Sequence, residues 1–287
     1  MSSPNPIFPS PADLENELSQ SLPGMRSVRW LAETTSTNAD LLEMARTTTT
    51  TLARPWLEGA HLQTAGRGRS GRTWHNREGA NLMFSCAFDI FVAPRFLPVL
   101  SPLAGVVAVE ALRRHISPAH QHRLSMKWPN DVLWDQAKLA GILAEITRSG
   151  TSRQSPDHHV LIIGIGLNLN DARSLSQSLD RAIADWREVG LADEQAADVT
   201  PGQLVKSIVS AWQQVFNEVT RNGFDDFPAR YQAVDGLIGR HVNVIHDGRL
   251  VGSGIAQGVN ETGQLRVLGP DGENTLAVGE ISIRLRA

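Results

Sequence analysis

The sequence predicts an α+β fold followed by a small β-barrel. Up to about residue 236, strand-like and helix-like segments succeed one another in a run-on order, which favours α+β architecture. After Asp235 the pattern changes to short alternating strands, with Gly248, Gly263 and Gly272 at the turns. Five such strands in roughly fifty residues indicate a small barrel. We place the domain boundary near Leu237.

The N-terminal half is predicted to begin with a loose tail over residues 1–9 and a short helix. Ser10 precedes Pro11, so that serine is the expected N-cap of a helix that ends by about Leu22. A polar turn over residues 34–38 is expected to cap a second helix through about Ala45. Five consecutive threonines, residues 47–51, are predicted to form a surface loop. The remaining elements are strands at 28–33, 60–64 and 81–90, and a helix at 97–116.

The C-terminal half contains the clearest helix signal. Thr200-Pro201 opens it, and its apolar residues fall on one face that we interpret as core-packing rather than as a partner site. That face comprises Leu204, Ile208, Ala211, Trp212, Val215, Phe216 and Val219. A polar hairpin loop is expected at 149–159. Predicted strands cover 124–134, 139–147 and 159–169, and, in the barrel, 241–245, 251–259, 264–268, 276–278 and 281–285.

Composition narrows the classes of function. A net charge of -3 argues against general nucleic-acid binding, and 41% hydrophobic residues suffice for a sizeable core. Cys86 is the only cysteine, so no intrachain disulfide forms and a reducing compartment fits. The N-terminus lacks a signal-peptide pattern and no apolar run approaches a membrane span in length. We therefore expect a cytoplasmic protein that binds neither DNA nor membranes.

The most informative segment is the loop over residues 66–77. It holds four arginines and three glycines in twelve residues, with no acidic residue. Glycines let the backbone approach a ligand closely, and arginines supply fork-shaped donors for phosphate or carboxylate. Three interpretations stay open from the residues alone: a site for a nucleotide or acyl-phosphate, a solvated basic loop, or an RNA-binding patch. The loop matches neither the P-loop nor the dinucleotide fingerprint.

Four ordered motifs carry a family resemblance. Gln63-Thr64-Ala65 followed by GRGRSGRTW resembles the signature of biotin–protein ligases. The segments at 33–38 (ETTSTN), 127–131 (KWPND, followed by KLAGILAE at 138–145) and 164–168 (GIGLN) resemble that family's other motifs in the same order. The resemblance implies a mixed-sheet catalytic domain over 28–236, related to class II aminoacyl-tRNA synthetases. It also implies an SH3-like barrel over 237–287, with residues 1–27 as tail and short helix.

The resemblance implies a two-step reaction. Biotin and ATP, with Mg²⁺, would give biotinyl-5'-AMP. The biotinyl group would then pass to a lysine on the biotin carboxyl carrier protein domain of a biotin-dependent carboxylase such as acetyl-CoA carboxylase. Only about 27 residues precede the first strand, fewer than a helix-turn-helix domain needs, so we expect a ligase without operator binding.

The resemblance also assigns residues. The implied biotin site comprises Ser36, Thr37, Asn38, Gln63, Gly66, Arg67, Lys138, Gly141 and Gly164. The implied nucleotide site comprises Arg69, Arg72, Trp74, Lys127, Asn130 and Asn168. Several of these residues have a purely structural role as an alternative. Ser36 or Thr37 would cap a helix, Trp74 would anchor the loop, and Lys138 would be a lysine at a strand edge.

The implied catalytic residues are Lys138, Arg67, Arg69 and Asp131. Cations near the reacting carboxylate and phosphate would stabilise charge that develops in the transition state. Asp131 would receive or orient the incoming lysine, or hold Mg²⁺ together with Asn130. A lipoate or octanoate ligase is the rival enzyme, although such enzymes lack the arginine loop. A biotin-sensing repressor or an RNA-binding module is the rival from another class.

Overall fold

A computed structural model of the protein describes residues 8–49, 52–148, 155–246, 248–277 and 281–285. Its larger sheet has seven strands in the order β1-β2-β3-β7-β6-β5-β4. The pair β1–β2 is parallel and every other neighbouring pair is antiparallel, so the predicted mixed sheet is confirmed. The strands are β1 Ser27–Thr34, β2 Trp56–Gln63, β3 Asn81–Phe91, β4 Leu124–Lys127, β5 Asp131–Trp134, β6 Ala137–Thr147 and β7 His158–Asn168.

Helices cover both faces of this sheet. Most of the buried apolar side chains form one cluster that includes α1, α3 and α7, while α2 packs on β2, β3 and β7 through a smaller cluster. The helices are α1 Pro11–Ser21, α2 Thr37–Thr47, α3 Leu100–Arg113, α4 Ala172–Leu179, α5 Trp186–Ala192, α6 Glu194–Ala197, α7 Pro201–Asn222 and α8 Phe227–Gln232. Three 3-10 turns lie at Arg69–Gly71, Pro94–Val99 and Gln121–Arg123.

The two helices with explicit start signals begin as predicted. Ser10 caps α1, since its hydroxyl accepts from the backbone N–H of Asp13. Thr200 and Gln203 form a reciprocal capping box at the start of α7. The predicted apolar face of α7 is in the core; only Ala211 on it is less than fully buried. These caps fix the two helix starts because they satisfy backbone N–H groups that have no intrahelical acceptor.

The structure corrects several of the predicted elements. The single strand expected at 124–134 is a hairpin, because residues 128–130 turn the chain between β4 and β5. The helix expected at 97–116 starts at Leu100, after a 3-10 turn that contains two prolines. The sequence patterns predict neither helix nor strand between β7 and Thr200, yet this segment contains the helices α4, α5 and α6. Short helices capped by aspartates, as α5 and α6 are, escape a search for long apolar periodicity.

The segment Pro94–Arg113 is the one part of the described chain with the length and composition of a membrane span, at a mean hydropathy of 1.5. However, 67% of that window is buried inside the protein. Helix α3 packs against α7, β4 and β6. Its apolar character is accounted for by its position in the middle of the core.

The C-terminal strands form a separate antiparallel sheet in the order β11-β10-β9-β8-β12. Gly248, Gly263 and Gly272 have φ values of 75°, 78° and 114°, which explains glycine at the predicted turns. The fourth strand covers 272–276, so it begins four residues before the predicted start at 276. The strands are β8 His241–His246, β9 Arg249–Val259, β10 Leu265–Gly269, β11 Gly272–Leu276 and β12 Ile281–Leu285.

The two sheets are joined at the 128–130 turn. The indole N–H of Trp128, a fully buried residue, donates to the carbonyl of Gly263 at 3.0 Å. A Cβ on Gly263 would lie 3.0 Å from the Cα of Val99, so the glycine permits this close approach. Parts of some predicted features lie outside the described residues: the tail at 1–7, Thr50 and Thr51, positions 149–154 of the polar loop, and Val278 of the predicted strand at 276–278.

Candidate active site

A cavity of about 810 Å³ lies on the α2 side of the seven-stranded sheet. Its walls come from the start of α2, the arginine loop, β6 and β7, the 128–130 turn and the segment at 179–182. Ile283 of the C-terminal sheet also reaches it. The size suits a small-molecule ligand, since such sites usually measure roughly 300–1,000 Å³.

Nearly all of the residues singled out from the sequence surround this one cavity. Only Gly66 and Asn168 do not line it. Those that do are Ser36, Thr37, Asn38, Gln63, Arg67, Arg69, Arg72, Trp74, Lys127, Asn130, Asp131, Lys138, Gly141 and Gly164. Residues far apart in the chain therefore meet at one place, with neutral polar groups and cations along the same walls.

The neutral polar wall is built at the start of α2. The backbone N–H of Thr37 donates to the side-chain oxygen of Gln63 at 2.9 Å, so a residue from β2 caps this helix. Ser36 occupies the N-cap position but makes no side-chain cap hydrogen bond, which corrects the capping interpretation for that residue. Ser85 of β3 also lines the cavity, and its hydroxyl oxygen lies 2.6 Å from that of Thr37. The site predicted from the sequence does not include Ser85. A serine in the middle of an apolar strand was the available signal.

Glycines form the floor of the cavity. A Cβ on Gly164 would lie 2.2 Å from the side-chain oxygen of Asn38, and a Cβ on Gly166 would lie 2.3 Å from the Trp74 ring. A Cβ on Gly141 would meet Lys138 Nζ at 3.0 Å. Trp74 thus lies against bare backbone of β6 and β7 because no side chain intervenes.

A β-bulge places Lys138 in the cavity. Along β5, Val132 pairs with Ala140 and the next residue, Leu133, pairs with Lys138, so Leu139 is the extra residue on β6. Without the extra residue, Lys138 would share the core-facing side of Ala140, because side chains alternate along a strand. The bulge turns it to the cavity side. There its Nζ lies 2.5 Å from Asp131 Oδ1 and 5.7 Å from the centroid of the Trp74 ring.

Asp131 remains ionised in this setting. Burial acts to raise the pKa of Asp131, but the charge and hydrogen bond of Lys138, with the charges of Lys127 and Arg181, lower it below its usual value. Burial also lowers the pKa of Arg69. The negative charge of Asp131 acts to raise that pKa, whereas the positive charge of Arg72 lowers it further. The cavity thus places several cations around Asp131, which favours binding of anionic ligands.

The arginine loop folds back on itself at the cavity mouth. Gly68 donates to the carbonyl of Arg72 at 2.7 Å, and Trp74 donates to that of Gly66 at 2.9 Å. Two arginines of the loop have acidic partners elsewhere in the chain: Arg67 contacts Glu145 at 2.6 Å, and Arg77 contacts Asp171 at 2.6 Å. The loop is therefore an ordered hairpin-like turn and not a free basic segment.

The two predicted magnesium ligands face cations. Asp131 pairs with Lys138, and the side-chain oxygen of Asn130 accepts from Arg69 at 3.3 Å. The amide nitrogen of Asn130 donates to the Ile142 carbonyl at 2.7 Å. The described residues contain no cluster of three or more His, Cys, Asp or Glu side chains suited to a metal. This arrangement does not fit a Mg²⁺ ion held by protein ligands alone.

Asn168 and Gly66 support the site from behind. The amide nitrogen of Asn168 donates to the carbonyls of Lys138 and Ala184, and its oxygen accepts from Asn81. Asn168 is buried, and these hydrogen bonds hold the start of β6 in place, so the predicted contact with adenine stays a prediction. A Cβ on Gly66 would lie 2.8 Å from the carbonyl oxygen of Trp74, which explains glycine inside the loop.

The wall at 179–182 was missed from the sequence. The backbone N–H of Lys138 donates to the carbonyl of Ala182, and that of Ala184 donates to the carbonyl of Lys138, so this segment runs beside the bulged start of β6. Leu179 and Arg181 line the cavity. The segment carries no motif and becomes part of the site only through this pairing.

Comparison with known proteins gives a family for this arrangement. Residues 30–168 match the "Biotin/lipoate A/B protein ligase family" and residues 237–284 match the "Biotin protein ligase C terminal domain". The biotin protein ligase from Aquifex aeolicus, solved in complex with biotin and ATP, superposes with a TM-score of 0.69. It is 26% identical, and the match covers 91% of this chain and 99% of that one.

Curated relatives agree with these matches. A biotin--[acetyl-CoA-carboxylase] ligase from Mycobacterium tuberculosis is 30% identical over 251 residues, covering 84% of this chain and 83% of the relative. The one from Paracoccus denitrificans is 29% identical, covering 88% and 98%. The Escherichia coli bifunctional ligase/repressor BirA is 30% identical over 78% of this chain, and the match spans 65% of its length. Because a relative is 30% identical over most of both chains, and the family models and the fold agree with it, the chain belongs to the biotin protein ligase family.

Proposed function

We propose that this protein is an ATP-dependent biotin–protein ligase. The observation that carries the proposal is one cavity lined both by neutral hydrogen-bonding groups and by cations. Neutral hydrogen-bonding groups at the start of α2 suit the ureido ring of biotin, and the cations near Lys138 suit a carboxylate and a phosphate. The described relatives that bind biotin and ATP support the same assignment.

The first step joins two anions. An oxygen of the biotin carboxylate attacks the α-phosphorus of ATP, the bond to the β-phosphate breaks, and pyrophosphate leaves. Arg67, Arg69 and Lys138 line the cavity where the two anions would meet, so their charges would offset the repulsion. Trp74 presents a flat ring on the glycine floor, and its buried indole N–H has no acceptor in the described part of the chain. Arg72, Lys127 and Asn130 would face the nucleotide.

The second step transfers the biotinyl group. The neutral amine of a carrier-protein lysine attacks the acyl carbon of the adenylate, and AMP leaves with the bonding electrons. The nitrogen releases one proton to solvent as the amide forms. Asp131 would orient that amine; its lowered pKa makes it a weak proton acceptor, which disfavours the role of general base. We propose a biotin carboxyl carrier protein domain as the partner.

Three further assignments belong to this proposal. Mg²⁺ would be held mainly through the phosphates of ATP, since Asn130 and Asp131 face cations. The C-terminal antiparallel sheet would be an SH3-like barrel, and the larger sheet a relative of class II synthetase domains, as its strand order and the family match suggest. The cytoplasm, which supplies ATP and keeps the buried thiol of Cys86 reduced, is the proposed location.

Lipoate is the alternative acid substrate, because the matched family includes lipoate ligases. The hydrogen-bonding wall of Thr37, Ser85 and Gln63 favours biotin, whose ring is polar, over lipoate, whose dithiolane ring is not.

The test combines purified protein, ATP and Mg²⁺ with biotin or lipoate. We expect biotin-dependent pyrophosphate release, followed by a mass increase of a carrier domain. Activity with lipoate but not with biotin would show that lipoate is the substrate. Specific DNA binding without turnover would favour a repressor.

A further inference from the structure

Glu145 on β6 lies behind the polar wall and uses both carboxylate oxygens. Oε1 accepts from Arg67 Nη2 at 2.6 Å, and Oε2 accepts from Asn38 Nδ2 at 2.9 Å. Glu145 does not itself line the cavity. We propose that Glu145 is a specificity-determining positioning residue, which fixes which groups of the polar wall donate and which accept. This inference rests on the proposed function, because it takes the ligand ring to be a cyclic urea.

The direction of the hydrogen bonds starts at Glu145. Arg67 has donors only, so the oxygen facing it accepts, and the second oxygen accepts from Asn38. The end of the Asn38 side chain that faces Glu145 must therefore be its amide nitrogen. The carbonyl of Leu143 is a second and more distant acceptor, at 3.3 Å from that nitrogen. Asn38 consequently turns its oxygen to Ser85, whose hydroxyl donates to it at 2.6 Å.

The direction then passes along the wall to the cavity. Ser85 has one proton and gives it to Asn38, so the 2.6 Å contact between the two hydroxyls is filled by the proton of Thr37. This short contact takes precedence over the 3.3 Å contact between the Thr37 hydroxyl and the side-chain oxygen of Gln63. The Thr37 hydroxyl is left with acceptor capacity only. The backbone N–H of Thr37 can only donate, so the end of Gln63 that faces it is the oxygen. Its amide nitrogen is then the end that can donate to a ligand.

The wall therefore offers an acceptor beside a donor. A cyclic urea presents N–H groups and a carbonyl oxygen, which is the complementary pair. Ser85, Thr37 and Asn38 are all buried, so a ligand that lacks one of these groups leaves a polar partner unsatisfied in a dry site. Glu145 acts on this recognition without lining the cavity. Its two acceptor oxygens orient Asn38 and, through Asn38, the hydroxyls of Ser85 and Thr37, whereas the orientation of Gln63 follows from the backbone N–H of Thr37.

The experiment compares two ligands and two forms of the full chain. The ligands are biotin and its isosteric cyclic carbamate, in which a ring oxygen replaces one ureido N–H. We expect the wild type to bind the carbamate roughly tenfold or more weakly by calorimetry, the equivalent of one lost buried hydrogen bond. In Glu145→Gln the new amide also carries donors, so Asn38 can turn over and the wall can adapt. We expect weaker biotin binding and an affinity ratio within about threefold of unity.

Matched variants separate recognition from general damage. Glu145→Asp keeps an acceptor-only group and should keep the wild-type ratio of affinities. Glu43→Gln, an exposed carboxylate on the same helix as Asn38, should change neither affinity. Ser85→Ala breaks the chain of hydrogen bonds in its middle and should reduce the ratio as Glu145→Gln does, which keeps the test valid should the glutamine variant fail to fold.

Two results would overturn the inference in distinguishable ways. A folded Glu145→Gln variant that discriminates against the carbamate as strongly as the wild type shows that Glu145 does not set the hydrogen-bond direction, while the ligase assignment stands. A folded wild type that does not bind biotin rejects the proposed function before any variant is made, and the inference falls with it.

Discussion

Replacing Lys138 by methionine tests the electrostatic core of the site. The side chain keeps its length and apolar stem but loses the ammonium that lies 2.5 Å from Asp131 Oδ1. The lost charge would no longer stabilise the negative charge that develops when carboxylate and phosphate react. Removing one such preorganised group typically lowers the rate roughly 10²–10³-fold, or about 2.7–4 kcal/mol. We expect a fall of that size in single-turnover adenylate formation.

The same change should create a pH dependence that the wild type lacks. Burial acts to raise the pKa of Asp131, and Lys138 is the largest influence that lowers it. Without Lys138 the pKa of Asp131 rises, so the carboxylate gains a proton as the pH falls. A neutral Asp131 no longer repels the substrate's carboxylate and phosphate. Residual activity of Lys138→Met should therefore increase toward acidic pH, whereas wild-type Asp131 stays ionised over the same range.

The assay is rapid-quench measurement of pyrophosphate release across a pH series, with folding checked by thermal denaturation. The double variant Lys138→Met with Asp131→Asn is the control, since it has no carboxylate to titrate at this position and should show no acid-side increase. Two outcomes refute the reasoning: a rate within about threefold of wild type, or an identical acid-side increase in the double variant.

Other features give independent predictions. In Gly166→Ala the new Cβ would lie 2.3 Å from the Trp74 ring, so the ring should be displaced and ATP binding, measured by calorimetry, should weaken by about 1–3 kcal/mol. Gly141→Ala, whose new Cβ has contacts of 3.0 Å or more, should weaken ATP binding less. A larger loss in Gly141→Ala than in Gly166→Ala would refute the packing argument. Burial raises the pKa of Glu58 to about 7, so the folded state holds its proton more tightly and stability falls as the pH rises from about 4.5 to 7. Glu58→Gln should flatten this slope in thermal unfolding and stabilise the protein above pH 7; an unchanged slope counts against it. Trp128→Phe removes the indole hydrogen bond to the C-terminal sheet and should lower the free energy of unfolding, measured in urea, by about 1–3 kcal/mol. An unchanged free energy of unfolding would show that this hydrogen bond does not form.

The sequence by itself determined the local features. Caps at Ser10 and Thr200 marked helix starts because they act on backbone groups a few residues away. Glycines at the C-terminal turns marked positive φ, and the motifs named most of the residues that line the cavity. Each of these signals is contained in a short stretch of chain, so neighbouring residues suffice to read it.

Tertiary structure decided how those residues act together. The bulge that turns Lys138 toward Asp131 depends on the pairing of β5 with β6, and no single segment encodes that register. The roles of Ser85 and Glu145 arise because β3, β6 and α2 converge on one buried wall. The side-chain amide of Asn168 donates to backbone carbonyls of Lys138 and Ala184, two contacts that no motif in the sequence indicates. Hydrogen-bond direction and the pKa of a buried carboxylate depend on which partners lie within a few ångströms, and distant parts of the chain become neighbours only on folding.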